Sequence, residues 1–417
     1  MSAARVSAAR VVITGMGVRT AAGDTPDALW AALAESRPAA GPVRSFDVPG
    51  FPVDVACEIT GFDPAGYLTP KQAARADRSA QLAFCAAADA ITDAGGLAAE
   101  SGRRAVVTGT AHGGLRTLEQ ALLRQVDGVG RPRALYTPMV MSNAGAALIS
   151  MVYGIGGPSL TLSTACASGG HAVGEGAQLV RAGSADVVVA GGHDAPLTPT
   201  NMVAMYRLGA LATGFADPAR SSRPFDAGRK GFVMAEGAAF VVLESLESAR
   251  ARGARIHAEL IGYGRNSDAY HLTAPHPAGA GALACMTAAL ADAGVTAREV
   301  VHVNAHGTGT ELNDLAEARA VAELFGPGEV PVTAPKSVTG HAIGGAGAIE
   351  AVVAAMSVAR GLAPPTANLT ELDPRCELDV VTDAPRKLPA GPVLSNSFAF
   401  GGHNACLVLA PVEGRDL

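Results

Sequence analysis

TACASGGHAVGEGAQLVRAG, residues 164–183, has its rhythm repeated by KSVTGHAIGGAGAIEAVVAAMSVARG, residues 336–361. Each leaves a run of strand formers, crosses a turn and enters an Ala-rich helical pattern. A second pair keeps the same order along the chain, GFVMAEGAAFVVLES (231–245) matching SFAFGGHNACLVLAP (397–411). Matched pieces in matched order predict an internal duplication.

Around these pieces, strand-like runs at 9–17, 104–111, 159–165, 185–192 and 238–245 alternate with helical stretches at 26–35, 79–94 and 168–182. After residue 250 a second set follows, with strands at 256–264, 300–310, 330–337 and 404–411 and helices at 278–294, 312–325 and 344–360. The βαβα alternation predicts a mostly buried sheet covered by helices. The expected organisation is two pseudo-symmetric α/β halves, 1–250 and 251–417, the first carrying a candidate nucleophile and the second two candidate histidines.

Composition narrows the function. Of 417 residues 48% are hydrophobic and 4% aromatic, so the core is built mainly of Ala, Val and Leu. A net charge of −6 without blocks of like charge argues against nucleic-acid binding. No apolar run reaches the ~20 residues needed to span a bilayer, and MSAARVSAAR lacks the apolar core of a secretion signal, so a cytoplasmic location and no membrane partner are expected. The six cysteines lack CxxC spacing, which suggests neither a disulfide framework nor a metal site.

Cys166 lies between a strand and a helix, where the helix dipole favours a reactive thiolate. A buried structural cysteine is the competing reading. In NAHGTGTELND (304–314) His306 closes an apolar strand, and strand ends are where ligands gather in open α/β sheets. PKSVTGHAIGGAGAIE (335–350) sets Lys336 and His341 around a second strand-to-helix turn, although each histidine alone also reads as a core or capping residue. SNSFAFGGHN (395–404) reads as a glycine-containing loop before the last strand.

Together, TACxSG, NAHGTxT, KSxxGHxxGxxG and FxFGGxN, in this order and over nearly the whole chain, resemble the β-ketoacyl-acyl carrier protein synthases of the thiolase superfamily, in their elongating type II-like branch. The resemblance implies a thiolase-like fold, two pseudo-symmetric α/β halves in a five-layered αβαβα arrangement. It implies that Cys166 accepts the acyl chain, that His306 and His341 assist malonyl decarboxylation and that Lys336 supports the electrostatics. Asp314, Glu317 and Glu350 would hold this polar network, while Thr308 and Thr310 would bind the phosphopantetheine arm. Phe400, with Phe398 and Ala399, would gate the site, the backbone N–H groups of Cys166 and Phe400 forming the oxyanion hole. The implied reaction is decarboxylative Claisen condensation in fatty-acid or type II polyketide elongation, without metal or redox cofactor. A non-catalytic chain-length-factor-like subunit and a cysteine thioester hydrolase are the alternatives. The implied partners are acyl carrier protein and, in the dimer, a second copy or a chain-length-factor-like paralogue.

Three residues depart from the family pattern, one of them His403, which stands where threonine is frequent. His112, in GTAHGGL (109–115), replaces a usually apolar side chain of the acyl pocket, its expected partner being either an oxygen of the growing chain or a backbone group. Ala399 replaces glycine, and alanine would resist a positive φ by about 1 kcal/mol were the gate to need one. For carrier docking, PKQAARADR (70–78) places Lys71, Arg75 and Arg78 on one face of a predicted helix, with Arg131, Arg133 and Arg207 extending the patch.

Overall fold

Among the described residues eleven strands form one sheet: Val11–Thr20 (β1), Arg104–Gly109 (β2), Ser159–Leu162 (β3), Val187–Asp194 (β4), Gly237–Ser245 (β5), Ala258–Ser267 (β6), His302–Asn304 (β7), Pro331–Thr333 (β8), Asp379–Val380 (β9), Val393–Phe398 (β10) and His403–Ala410 (β11). The computed structural model describes residues 9–46, 51, 53–128 and 134–412. Read outward from the middle, one side runs β1, β5, β4, β2, β3 and the other β6, β11, β10, β7, β8, with β9 added outside β8. Strand directions repeat as well, two antiparallel pairings followed by two parallel ones on each side. The two sides meet where β1 pairs antiparallel with β6, at Val12↔Glu259 and Ile13↔Ala258.

The helices that matter for the site are Arg78–Asp93 (α1), Ala144–Tyr153 (α2), Ser168–Arg181 (α3), Ala280–Ala293 (α4), Glu311–Phe325 (α5) and Ala346–Arg360 (α6). Helix α1 covers β1, β5 and β4 and carries α2, while α4 covers β6 and β11 and carries α5. Between them α3 and α6 pack on each other and reach strands of both sides, which makes the five layers αβαβα. Strands β1, β4 and β5 are therefore buried along almost their whole length, in keeping with their largely apolar, Val-containing sequences. Ile343–Arg360 is long and apolar enough to cross a membrane by length and composition, yet 83% of it is buried in this central layer. Glycine is needed where the two inner helices approach, since a Cβ on Gly169 would stand 2.7 Å from the amide nitrogen of Ala348.

Each inner helix is entered through the same tight turn. A 3-10 turn, Ala165–Ala167, precedes α3, and another, Ile343–Gly345, precedes α6. The first residue of each, Ala165 and Ile343, has φ 48°. For residues with a side chain this left-handed conformation costs about 1–2 kcal/mol, and such strain collects at functional sites.

Three local expectations are corrected. Residues 395–398, read as loop, complete strand β10: polar Ser395 and Asn396 are buried there because Asn304 and Glu317 supply their hydrogen bonds, at 2.9 and 3.1 Å. The strand before Cys166 ends at Leu162, leaving the chain free to turn at Ala165. Residues 70–78 form no single helix, because Pro70–Ala73 is a short helix and Asp77 caps a new one that starts at Arg78.

Candidate active site

Cys166 is buried within the turn that leads into α3, next to the helix start as its sequence context predicts. It opens onto a cavity of about 560 Å³ whose wall also carries His306, His341, Thr308, Thr310 and Phe400. Burial dominates the electrostatics of the thiol. It pushes the Cys166 pKa up to about 12, against the opposing pull of Lys336 and of the backbone N–H groups of Phe400 and Cys166. The expectation of a thiolate at rest is thereby corrected: the resting sulfur keeps its proton, and the two N–H groups expected to form the oxyanion hole both face it. Alkylation of Cys166 by iodoacetamide, followed by peptide mass, should rise about tenfold per pH unit between roughly pH 7 and pH 9 without levelling off. A plateau inside that window would mean a lowered pKa instead.

His306 leaves the end of β7 in a loop held by one buried carboxylate. The backbone N–H groups of His306 and Gly307 donate to Oε1 and Oε2 of Glu317, both at 2.8 Å, and Asn396 donates to the same Oε1. Asp314 does the same for the next turn, accepting from the N–H groups of Gly309 and Phe225 at 3.2 and 2.8 Å, with Arg229 3.4 Å away. Burial raises the pKa of both carboxyl groups in spite of these donors.

Lys336 is 1% exposed, and its Nζ contacts Nδ1 of His306 at 3.1 Å, the carbonyl oxygen of His306 at 2.5 Å and Oε1 of Glu350 at 2.5 Å. An ammonium only donates, so Nδ1 of His306 must accept, and a neutral ring then carries its proton on Nε2. Burial first, then Lys336 and His341, hold the His306 pKa well below its ordinary value, so the ring is neutral near pH 7. Glu350 is raised to about 7 by burial, with Lys336 pulling the other way.

His341 is fixed through its backbone, which donates to Val233 and accepts from Ala235 at 2.8 and 3.0 Å. Its ring meets Phe232 edge-on at 5.1 Å and His306 at 5.4 Å. Neither ring nitrogen has a hydrogen-bond partner among the described residues, and burial, then Lys336, hold the ring neutral. Two neutral imidazoles and a thiol thus share one cavity wall. The arrangement can donate hydrogen bonds to a carbonyl oxygen on one side and attack a carbonyl carbon on the other.

The remaining expected residues are distributed as follows. Thr308 and Thr310 share a 2.9 Å hydrogen bond at the cavity wall. Phe398, Ala399 and Phe400 line the cavity too, Phe398 lying 6.1 Å from His306. Ala399 has φ −134° and ψ 157°, extended backbone in which alanine bears no strain, while Gly401 and Gly402 take the positive φ of this loop. His112 lines the cavity, and the group beside it is Asp194, with Nδ1 to Oδ2 at 3.6 Å, instead of a backbone atom. Lys71, Arg75 and Arg207 are exposed. Arg78 is not available as a docking cation, since its guanidinium is bound to Glu236 at 2.6 and 2.7 Å and to the carbonyl of Ile59. Arg131 and Arg133 lie outside the described residues.

The sequence reading missed Asp194. Its Oδ1 accepts from Thr110 Oγ1 and the His112 N–H at 2.7 and 3.1 Å, and its Oδ2 from the N–H groups of Ala111 and Gly344 at 3.0 and 2.8 Å. This fully buried carboxylate joins the end of β4, the loop after β2 and the turn before α6. A carboxylate closing the apolar run ADVVVAGGHD was the available signal.

Comparison with known proteins comes from three directions. Residues 8–249 match the beta-ketoacyl synthase N-terminal domain family and residues 257–370 the beta-ketoacyl synthase C-terminal domain family. A 3-oxoacyl-(acyl-carrier-protein) synthase 2 of Synechocystis is 41% identical over 95% of this chain and 97% of its own length. Among solved structures, the ishigamide ketosynthase/chain length factor superimposes with TM-score 0.90 and 36% identity, over 97% of this chain and all of that one. A type II PKS acyl-carrier protein in complex with its ketosynthase bound to the hexaketide gives TM-score 0.89 and 28% identity, again over 97% of this chain and all of that one.

Proposed function

This chain belongs to the beta-ketoacyl synthase family, and on that premise we propose how its own residues divide the labour of an elongating ketosynthase. The enzyme is an acyltransferase that condenses malonyl, carried on acyl carrier protein, with an acyl chain by decarboxylative Claisen chemistry. Both substrates travel on the carrier's phosphopantetheine, and no free cofactor takes part.

In the proposed cycle Cys166 sulfur attacks the carrier's acyl thioester carbonyl, and the carrier's thiol leaves with the proton. The N–H groups of Cys166 and Phe400 stabilise the oxyanion, and Phe400, with Phe398 and Ala399, controls entry. Malonyl-carrier follows, its pantetheine arm hydrogen-bonded by Thr308 and Thr310. Loss of CO₂ leaves an enolate whose oxygen accepts hydrogen bonds from His306 and His341, each donor worth ~3–4 kcal/mol in comparable sites. The carbanion forms the new C–C bond at the Cys166 thioester, and the sulfur leaves and is reprotonated. Lys336 and Glu350 set the His306 proton, and Glu317 and Asp314 hold the loop that carries it.

The observation that carries this reading is the Lys336–His306 contact beside an unpartnered His341 in the cavity of Cys166. It disfavours a cysteine hydrolase, which needs one base and a water, and a non-catalytic chain-length-factor-like subunit, which needs no thiol. The test is intact mass spectrometry. An acyl-carrier should add one acyl group at Cys166, and malonyl-carrier should then release it as a β-ketoacyl-carrier with one CO₂. Water-dependent loss of the adduct without C–C bond formation would mean hydrolysis.

The reading includes the division at residue 250 into a half carrying the nucleophile and a half carrying the histidines, supported by the repeated strand order. The enzyme works as a dimer, a homodimer or a heterodimer with a chain-length-factor-like paralogue. Edge strand β3, with Leu160 exposed, and exposed Met151 and Val152 on the neighbouring α2 support that face as the contact. Exposed Lys71, Arg75 and Arg207, the last beside cavity-lining Leu208, are proposed to meet the acidic carrier. The cytoplasm is the proposed location.

A further inference from the structure

His112 is the counterpart of His306 in the other half of the molecule. β2 and β7 occupy the same place in the two strand orders, and each is followed by Ala-His-Gly, at 111–113 and 305–307. Gly113 and Gly307 both have positive φ, 56° and 38°. In both loops one buried carboxylate accepts two consecutive backbone N–H groups: Asp194 those of Ala111 and His112, Glu317 those of His306 and Gly307. These two equivalent loops thus each deliver a histidine to the same cavity, which His341 of the second half also lines.

The two rings differ in what surrounds them. His306 is engaged by Lys336. His112 has no hydrogen-bond partner at Nδ1 among the described residues, only the ion-pair approach of Asp194. Asp194 does not need the ring, because two donors already serve each of its oxygens. The imidazole side chain is 19% exposed, and it belongs to a cavity wall that also holds apolar Ala111, Met205, Phe232 and Ile343. With Nδ1 buried beside Asp194, it is the remaining, partly exposed edge of the ring that such a wall presents, and a polar group there is costly against hydrocarbon and favourable against an oxygen. Asp194 reinforces this: burial lowers the His112 pKa, but the carboxylate outweighs it and raises the pKa overall, towards the form that donates from both nitrogens.

Resting on the ketosynthase reading, we propose that His112 is a specificity-determining residue that hydrogen-bonds an oxygen on the acyl chain, so that the enzyme selects oxygen-bearing chains over saturated hydrocarbon ones. A keto or a hydroxyl oxygen would accept from the ring, so either oxygen satisfies the site.

The test compares a saturated acyl-carrier with carriers of the same chain length bearing a single keto or hydroxyl oxygen at successive carbons, reading kcat/KM for acylation of Cys166. The unmodified enzyme should favour at least one oxygenated chain by about tenfold or more. His112→Ile should lose that preference, gaining on the saturated chain and losing roughly 10–100-fold on the favoured one. His112→Gln, which keeps a donor and an acceptor, should retain part of it. Equal or better acylation of the unmodified enzyme by the saturated chain, or parallel changes on both chains in His112→Ile and His112→Gln, would overturn the assignment while leaving the ketosynthase reading intact. Failure of every thioester to acylate the unmodified enzyme would overturn both.

Discussion

Cys166→Ala should abolish the acyl-enzyme and lower condensation by at least about 10⁴-fold, because the reaction passes through a thioester that no other thiol of the cavity can supply. Cys57, Cys85, Cys285, Cys376 and Cys406 are all buried, and none of them lines the cavity. Decarboxylation of malonyl-carrier should survive the change, since the donors for its enolate, His306 and His341, are untouched. Measuring CO₂ release and adduct mass on the same sample separates the two halves of the reaction. Persistence of the adduct in the alanine variant would remove Cys166 from the mechanism. Loss of both activities together, in a folded protein, would mean that the thiol also serves decarboxylation.

Lys336→Ala should cost roughly 3–5 kcal/mol of stability near neutral pH, the size expected when one member of a buried ion pair is removed. The ammonium contacts His306 twice and Glu350 once, and without it Glu350 is left in the core with no counter-charge. That carboxyl, already raised by burial, would move further up. A raised carboxylic acid binds more protons in the folded state than in the unfolded one, so the penalty should be smallest in mild acid and grow as pH rises through the folded pKa. The double variant Lys336→Met with Glu350→Leu removes both charges and should regain most of the melting temperature. It should not regain decarboxylation, because nothing would then keep the His306 proton on Nε2. Equal recovery of stability and decarboxylation would reduce Lys336 to a structural residue.

The parts of the site that were legible from sequence are those written in short range. Cys166, His306, Lys336 and His341 each lie in a short motif at a strand or helix end, and it is the family resemblance carried by those motifs in order that assigned their roles, while the alternation of apolar runs separates the strands. What was not legible depends on contacts far along the chain. Asp194 acquires its meaning from Ala111 and from Gly344, 150 residues away. Arg78 looked like a surface cation because its partner, Glu236, is 158 residues distant. The local signal that Arg78 opens a new helix was present in Asp77, a good capping residue whose side chain accepts from Ser79. Strand β10 was misread for a related reason, as polar Ser395 and Asn396 suggest a loop until Asn304 and Glu317 arrive to bond them.

Strand β11, made after every other strand of this sheet, lies inside it between β10 and β6. Helix α6, which fills the middle layer for both sides, is itself made only after residue 346. A nascent chain therefore carries one face of α3 uncovered until α6 is made, and one edge of β1 unpaired until β6 is made. Such surfaces make a growing polypeptide a client for chaperones, and they make a chain released before β11 is complete a candidate for aggregation.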